Sequence, residues 1–147
     1  MKGPGTGEIR VGEVADFDAI DAFDPLGGNR REELASGRVL VVEVGGELVG
    51  YVTYSAAGFI GRPFIHFLAI AERYRRHGLA RRLLGAIADR VGPCRLFVST
   101  EADNEPMLRL LDQDQWIAAG CVEGVNLDGP AECFFYRDVD EAAGDQG

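Results

Sequence analysis

Apolar residues gather in the middle of the chain in two adjoining patterns. Residues 64–70, Phe-Ile-His-Phe-Leu-Ala-Ile, form a run of the length expected for a strand covered on both faces. From residue 78 the period changes. Leu79, Leu83 and Ile87, with Ala80, Leu84 and Val91 beside them, recur at helical spacing, while Arg81, Arg82, Asp89 and Arg90 fall largely on other faces. The pattern predicts a buried strand, a sharp basic turn and an amphipathic helix, with the rest of the chain arranged in support. Upstream, Ile9, Val11 and Val14 alternate as in a first strand over 8–14, and a short amphipathic helix is expected over 16–23. Asp24-Pro25-Leu26-Gly27-Gly28 reads as a loop before a second short helix over 30–35 that stops at Gly37. Residues 38–44 and 47–55 are rich in β-branched and aromatic side chains and flank Gly45-Gly46, a hairpin signal. Residues 56–63, with Gly58, Gly61 and Pro63, read as a loop. Downstream, 95–100 is expected as a strand parallel to 64–70 through a right-handed crossover. A helix then starts at Asp103-Asn104-Glu105-Pro106, capped by Asn104, with Met107, Leu110 and Leu111 inward. Two last strands over 116–125 and 131–138 enclose a turn at 126–130.

Composition narrows the function classes. A chain of 147 residues, 46% hydrophobic and 27% charged, is expected to fold as one soluble domain over 8–140, with mobile tails at 1–7 and 141–147. No apolar run approaches ~20 residues, so no membrane partner is expected and a cytoplasmic location is. Cys94, Cys121 and Cys133 are odd in number and lack metal-ligand spacing, which predicts three reduced thiols and no metal. The formal net charge of −9 argues against general nucleic-acid binding. Against that background Arg73, Arg75, Arg76, His77, Arg81 and Arg82 crowd together with no acid among them. Acids gather later, among them Glu101, Asp103, Glu105, Asp112, Asp114, Asp128 and Glu132, as solvated surface or as an environment for a cationic acceptor.

The basic cluster coincides with the turn into the central helix. The first backbone N–H groups of a helix have no intrahelical partner and lie at the positive end of its dipole, so such an end binds anions. Gly78 and Ala80 leave a ligand room to approach the backbone. Neither G-x-x-x-x-G-K-[ST] nor G-x-G-x-x-G is present. The stretch instead resembles the R/Q-x-x-G-x-G/A signature of the GNAT superfamily of acyl-CoA-dependent N-acyltransferases, as Arg75-x-x-Gly78-x-Ala80, preceded by Leu68-x-Ile70 and Tyr74 and followed by a Leu-rich helix. With Asn104, Trp116, Gly120 and Glu132 also matching positions of some members, the resemblance extends over roughly 38–137.

The resemblance implies an α/β (α+β) fold, a mixed and largely antiparallel six- to seven-stranded sheet flanked by helices, whose two central parallel strands splay to admit the acyl-pantetheine arm. It implies transfer of an acetyl or other acyl group from acetyl-CoA, as co-substrate and without a metal, to a primary amine by direct attack. The acceptor is a small molecule or a peptide, and a homodimer is allowed. By register with the family, the Leu68 N–H is the oxyanion donor, the Ile70 main chain pairs with the pantetheine arm, and the loop of Arg75, Arg76, His77, Gly78, Leu79, Ala80 and Arg81 holds the phosphates; Asn104 matches the family's asparagine. Two family groups are absent. A tyrosine that can protonate the departing thiolate is replaced by Leu110 and Leu111, and a glutamate base by Phe64. The alternative is therefore an acyl-CoA-binding module without catalysis; a nucleotide-binding regulator is a third reading.

An amine must lose a proton before it attacks, so a base is needed. His66 lies on the organising strand two residues beyond Phe64, and an imidazole pKa near ~6.5 suits a base at neutral pH. It serves as that base or merely lines the acceptor site. Glu101 is the second candidate, and Tyr51, Tyr54 and Tyr136 are possible acids.

Overall fold

Residues 39–42, Val-Leu-Val-Val, are buried without interruption, the mark of a strand with neighbours on both sides and cover on both faces. The structure, a computed structural model, describes residues 7–140. Seven strands follow the order β1-β2-β3-β4-β5-β7-β6: β1 (Glu8–Val11), β2 (Val39–Val44), β3 (Glu47–Phe59), β4 (Arg62–Ile70), β5 (Cys94–Glu101), β6 (Ile117–Val122) and β7 (Glu132–Val139). The helices are α1 (Phe17–Asp21), α2 (Arg30–Ala35), α3 (Leu79–Val91) and α4 (Glu105–Gln113). The expected mixed, largely antiparallel sheet flanked by helices is thus present. The described residues gather into two compact units, one of residues 7–55 and 66–90 and one of 56–65 and 91–140, with β3 and β4 contributing to each.

In the first unit β1 and β2 pair antiparallel, with Ile9 opposite Val42, and β2 pairs β3 with Val41 opposite Tyr51. Gly45 and Gly46 take φ of 60° and 85°, the left-handed pair that closes a two-residue hairpin. β1 stops at Val11 rather than at residue 14, because Gly12 N–H bonds the Val39 carbonyl and residues 14–16 turn into a short 3-10 helix anchored by Asp16 on Arg10 at 2.8 Å. Asn29 caps α2, its side chain accepting from the Glu32 N–H. Ile20 of α1 and Leu34 of α2 enter a core with Val39, Val41, Leu48, Tyr51 and Ala69. In α3 the buried residues are Leu79, Leu83, Leu84 and Ile87, the stripe the periodicity predicted. Residues 1–6 and 141–147, expected as tails, lie outside the described residues; Gly7, assigned to the tail, is buried, and a β-carbon there would meet Val42 at 2.7 Å.

Residues 56–63 are not a loop. β3 runs on to Phe59 and β4 begins at Arg62, with Ile60 and Gly61 at φ of 52° and 79° forming the turn. Alanine and glycine have weak strand preference, but pairing with a neighbour overrides it. In the second unit β4 and β5 are parallel, with Phe64 opposite Phe97 and Ile65 opposite Val98. β5 and β7 pair antiparallel over the full length of β5, and β6 adds to β7. Along β5, Leu96, Val98 and Thr100 are buried while Phe97 and Ser99 are half-buried and Glu101 is exposed, so one face of this sheet is core. Cys121 and Cys133 are opposite each other on β6 and β7 and form a disulfide, which corrects the expectation of three reduced thiols; Cys94 is free.

Candidate functional site

The turn between β4 and α3 sorts its basic residues into two kinds. Arg73 ion-pairs with Glu47, whose other oxygen accepts from the Tyr74 hydroxyl at 3.2 Å. Arg75 folds back, its Nε donating to the Ile70 carbonyl at 3.0 Å and tying the turn to the end of β4. Among the described residues no hydrogen bond or ion pair engages the exposed side chains of Arg76, His77 and Arg82. Arg76 and Gly78 both have left-handed backbone, at φ of 68° and 78°, and a β-carbon on Gly78 would meet nothing within 4 Å. The space over the turn is open. Arg82 N–H makes the bond to the Gly78 carbonyl that begins α3, which leaves the N–H groups of Leu79, Ala80 and Arg81 without acceptors inside the helix. Leu79 points into the core, Ala80 is half-buried and Arg81 is exposed. The donor set suits an anion carrying several oxygens, as the pyrophosphate of acetyl-CoA does.

On β4, His66 is exposed, and its Nε2 lies 2.9 Å from Ser55 Oγ on β3. Partial desolvation holds the imidazole below its usual 6.5, opposed by the Glu33 charge and assisted by the Arg38 charge. The lowered value keeps the ring neutral at pH 7, as a proton acceptor must be. The Phe67 N–H donates to Thr53 Oγ1 at 3.1 Å, so a side chain stands in for a strand carbonyl beside Leu68. Leu68 is half-buried and Ile70 buried. His66, Leu68, Ile70 and the residues of the 75–81 turn all belong to the first unit.

Sequence reasoning missed a buried polar cluster in the same unit. Arg30 is only 4% exposed; it ion-pairs with Asp24 at 3.0 Å and with Glu33, and donates to the Gly27 carbonyl at 2.8 Å. Its guanidinium lies 4.7 Å from the Tyr51 ring centroid and 4.8 Å from that of Phe67. The Tyr51 hydroxyl donates to Asp24 at 2.6 Å, and burial, followed by that bond, raises its pKa well above the ordinary phenol value. Tyr51 is therefore a locked structural group rather than a proton donor. In sequence, Arg30, Arg31, Glu32 and Glu33 look like one solvated short helix; the nearby Asp-Pro-Leu-Gly-Gly loop was the only sign that the chain folds back there.

Glu101 and Asn104 lie in the second unit. Glu101 is exposed at the end of β5, opposite Glu132. Asn104 caps α4, its Oδ1 accepting from the Met107 N–H at 3.3 Å. Of the remaining tyrosines, Tyr54 accepts from Arg90 at 2.8 Å and Tyr136 lies beneath the Arg95 guanidinium at 4.1 Å. Gln115, just beyond α4, is left-handed at φ 65°, a conformation that favours glycine. Among the described residues no cluster of three or more His, Cys, Asp or Glu could hold a metal ion, and no helix is long and apolar enough to cross a membrane.

Known proteins extend the comparison. No curated protein sequence matches the chain. Its fold matches a GNAT-family acetyltransferase from Bacillus cereus ATCC 10987 with a TM-score of 0.81 and 24% identity, covering 90% of this chain and 97% of that one. The ribosomal-protein-S18-alanine N-acetyltransferase of Escherichia coli matches with a TM-score of 0.73 and 16% identity, over 94% and 97% of the two chains. Diaminobutyrate acetyltransferase from Paenibacillus lautus, solved with L-2,4-diaminobutyric acid and coenzyme A, matches at 0.70 and 17%, over 91% and 95%. The family match itself, described as acetyltransferase (GNAT) family, spans residues 11–115 and takes in the turn, α3 and most of the sheet. The chain belongs to the GNAT acetyltransferase family and is an acyl-CoA-dependent N-acetyltransferase.

Proposed function

We propose that the first unit binds acetyl-CoA by its pyrophosphate at the start of α3 and presents the acetyl carbonyl to β4, where a primary amine attacks it directly. The observation that carries this reading is the left-handed Arg76 to Gly78 turn, open to solvent and leading into a helix end with uncommitted basic side chains. The amides of residues 76–80, the charges of Arg76 and Arg82 and the His77 ring hold the phosphates, Arg75 sets the turn through the Ile70 carbonyl, and the Ile70 main chain pairs with the pantetheine arm. The Leu68 N–H donates to the oxyanion. His66 takes the proton from the acceptor ammonium; the amine nitrogen then bonds to the carbonyl carbon, the C–S bond breaks, and the second proton lost by that nitrogen passes to the departing thiolate, which leaves as the CoA thiol. A thiol pKa near ~8.5 makes that departure feasible without the missing tyrosine. Residues 8–140 act as one cytoplasmic catalytic domain, alone or as a homodimer. The substrates named for the Paenibacillus and Escherichia proteins, L-2,4-diaminobutyric acid and an alanine of ribosomal protein S18, support an acceptor that is a small-molecule or peptide amine.

The test is kinetic. His66→Gln keeps polarity but cannot accept the proton, so kcat falls by ~10² to 10⁴ with acetyl-CoA affinity intact. Because desolvation lowers the His66 pKa, the acid limb of wild-type kcat/KM lies below pH 6.5. The same sign applies to stability: this group's contribution is present above pH 6.5 and is lost as pH falls through the depressed pKa. Turnover within a few-fold of wild type and an unchanged pH profile in His66→Gln would leave His66 as a lining residue.

A further inference from the structure

The second unit has one covered sheet face and one that is not. Residues directly opposite in an antiparallel pair share a face, so Phe97 with Tyr136, Ser99 with Phe134, and Glu101 with Glu132 lie on one side of β5 and β7; Phe64 joins them from β4 opposite Phe97. The other side, with Leu96, Val98 and Thr100, is buried, whereas Phe64, Phe97, Phe134 and Tyr136 are each left half-buried. Phe59 sits at the centre of the rings. Its centroid is 4.8 Å from Phe97, 5.0 Å from Phe134 and 5.5 Å from Phe64, the last two nearly stacked at 23°. The rings form a continuous, half-buried aromatic surface whose open part can receive another ring.

One end of that surface is acidic. Glu132 is oriented by Ser99 Oγ at 2.7 Å and Asn126 Nδ2 at 2.9 Å, and Glu101 beside it is exposed. One step of two residues separates the Ser99–Phe134 pair from the Glu101–Glu132 pair, roughly 7 Å along the strands. Aromatic rings followed by carboxylates at that distance complement a molecule whose own ring is joined to an ammonium through a short linker, and the chain's net charge of −9 favours the same cation. We infer that this face binds a primary amine with an aromatic group about two carbons from its nitrogen. The inference concerns binding by the second unit and does not rest on the acyltransferase reading.

Binding of 2-phenylethylamine, propylamine and 2-phenylethanol tests it. Calorimetry without acetyl-CoA is expected to give 2-phenylethylamine at least ~10-fold tighter binding than either of the others, as ring stacking and ammonium pairing each contribute. Phe134→Leu, which keeps an apolar side chain, is expected to weaken 2-phenylethylamine several-fold with propylamine and acetyl-CoA unaffected; Glu132→Gln should weaken both amines. Melting curves of both variants show whether they remain folded. Selective binding supports the face whether or not the bound amine is acetylated. Binding with no preference among the three, or none at all, would overturn the face. Sedimentation showing a dimer that Phe134→Asp dissociates, together with no amine binding, would also overturn it by assigning the surface to a second copy of the chain.

Discussion

Arg30 and the basic turn before α3 belong to the same unit, yet they use arginine in opposite ways. Arg30 is enclosed between two aromatic rings with its donors spent on Asp24, Glu33 and Gly27, and it orders the loop between α1 and α2. Arg76 and Arg82 are exposed beside a helix end whose amides lack acceptors. The difference teaches that charge alone does not mark a ligand site. A buried, fully partnered arginine is part of the scaffold; an exposed one without a protein partner, near unsatisfied backbone donors in the chain, is available to a ligand. Arg73 and Arg75 show the boundary, since both belong to the basic cluster in sequence and both are held by protein groups.

Substitutions break the comparison in graded steps. Arg30→Ala leaves Asp24 and Glu33 with uncompensated charge and is expected to cost about 3–5 kcal/mol, read as a fall in denaturation midpoint. Arg30→Lys recovers little, since an ammonium cannot stack as a plane between Tyr51 and Phe67. On the other side, Gly78→Asp places an anion where the pyrophosphate lies while aspartate tolerates left-handed backbone, so acetyl-CoA binding by calorimetry should weaken by on the order of 10²-fold with the fold retained. An unchanged affinity in a folded variant would remove the turn from the site. Smaller effects follow from single charges. Arg76→Ala and Arg82→Ala are each expected to weaken acetyl-CoA by roughly 2- to 10-fold and to flatten its salt dependence, whereas Arg73→Ala should do neither. The smallest effect separates strain from function. Gln115→Gly and Arg76→Gly both relieve left-handed backbone, each by at most about 1 kcal/mol in thermal denaturation, but only Arg76→Gly should also weaken acetyl-CoA.

The turn and α3 were legible because their signals are local: a glycine able to take positive φ, basic residues around it and a 3.6-residue apolar stripe all fall between residues 73 and 91. The Gly45-Gly46 hairpin and the Asn104 cap were readable for the same reason. The extension of β3 through Ala56, Ala57 and Gly58 was not, since pairing partners made those small residues a strand against their own preference.

By itself, then, the sequence determined the family signature, the anion-binding turn and the order of most elements, because each depends on residues within one or two turns of each other. Tertiary structure decided that Arg30 is buried, that Cys121 meets Cys133, and that four half-exposed phenylalanines and Tyr136 share one face with Glu101 and Glu132. Those outcomes depend on strand register. A shift of one residue would send each side chain to the other face of the sheet, and nothing local to any one strand specifies which neighbour it meets.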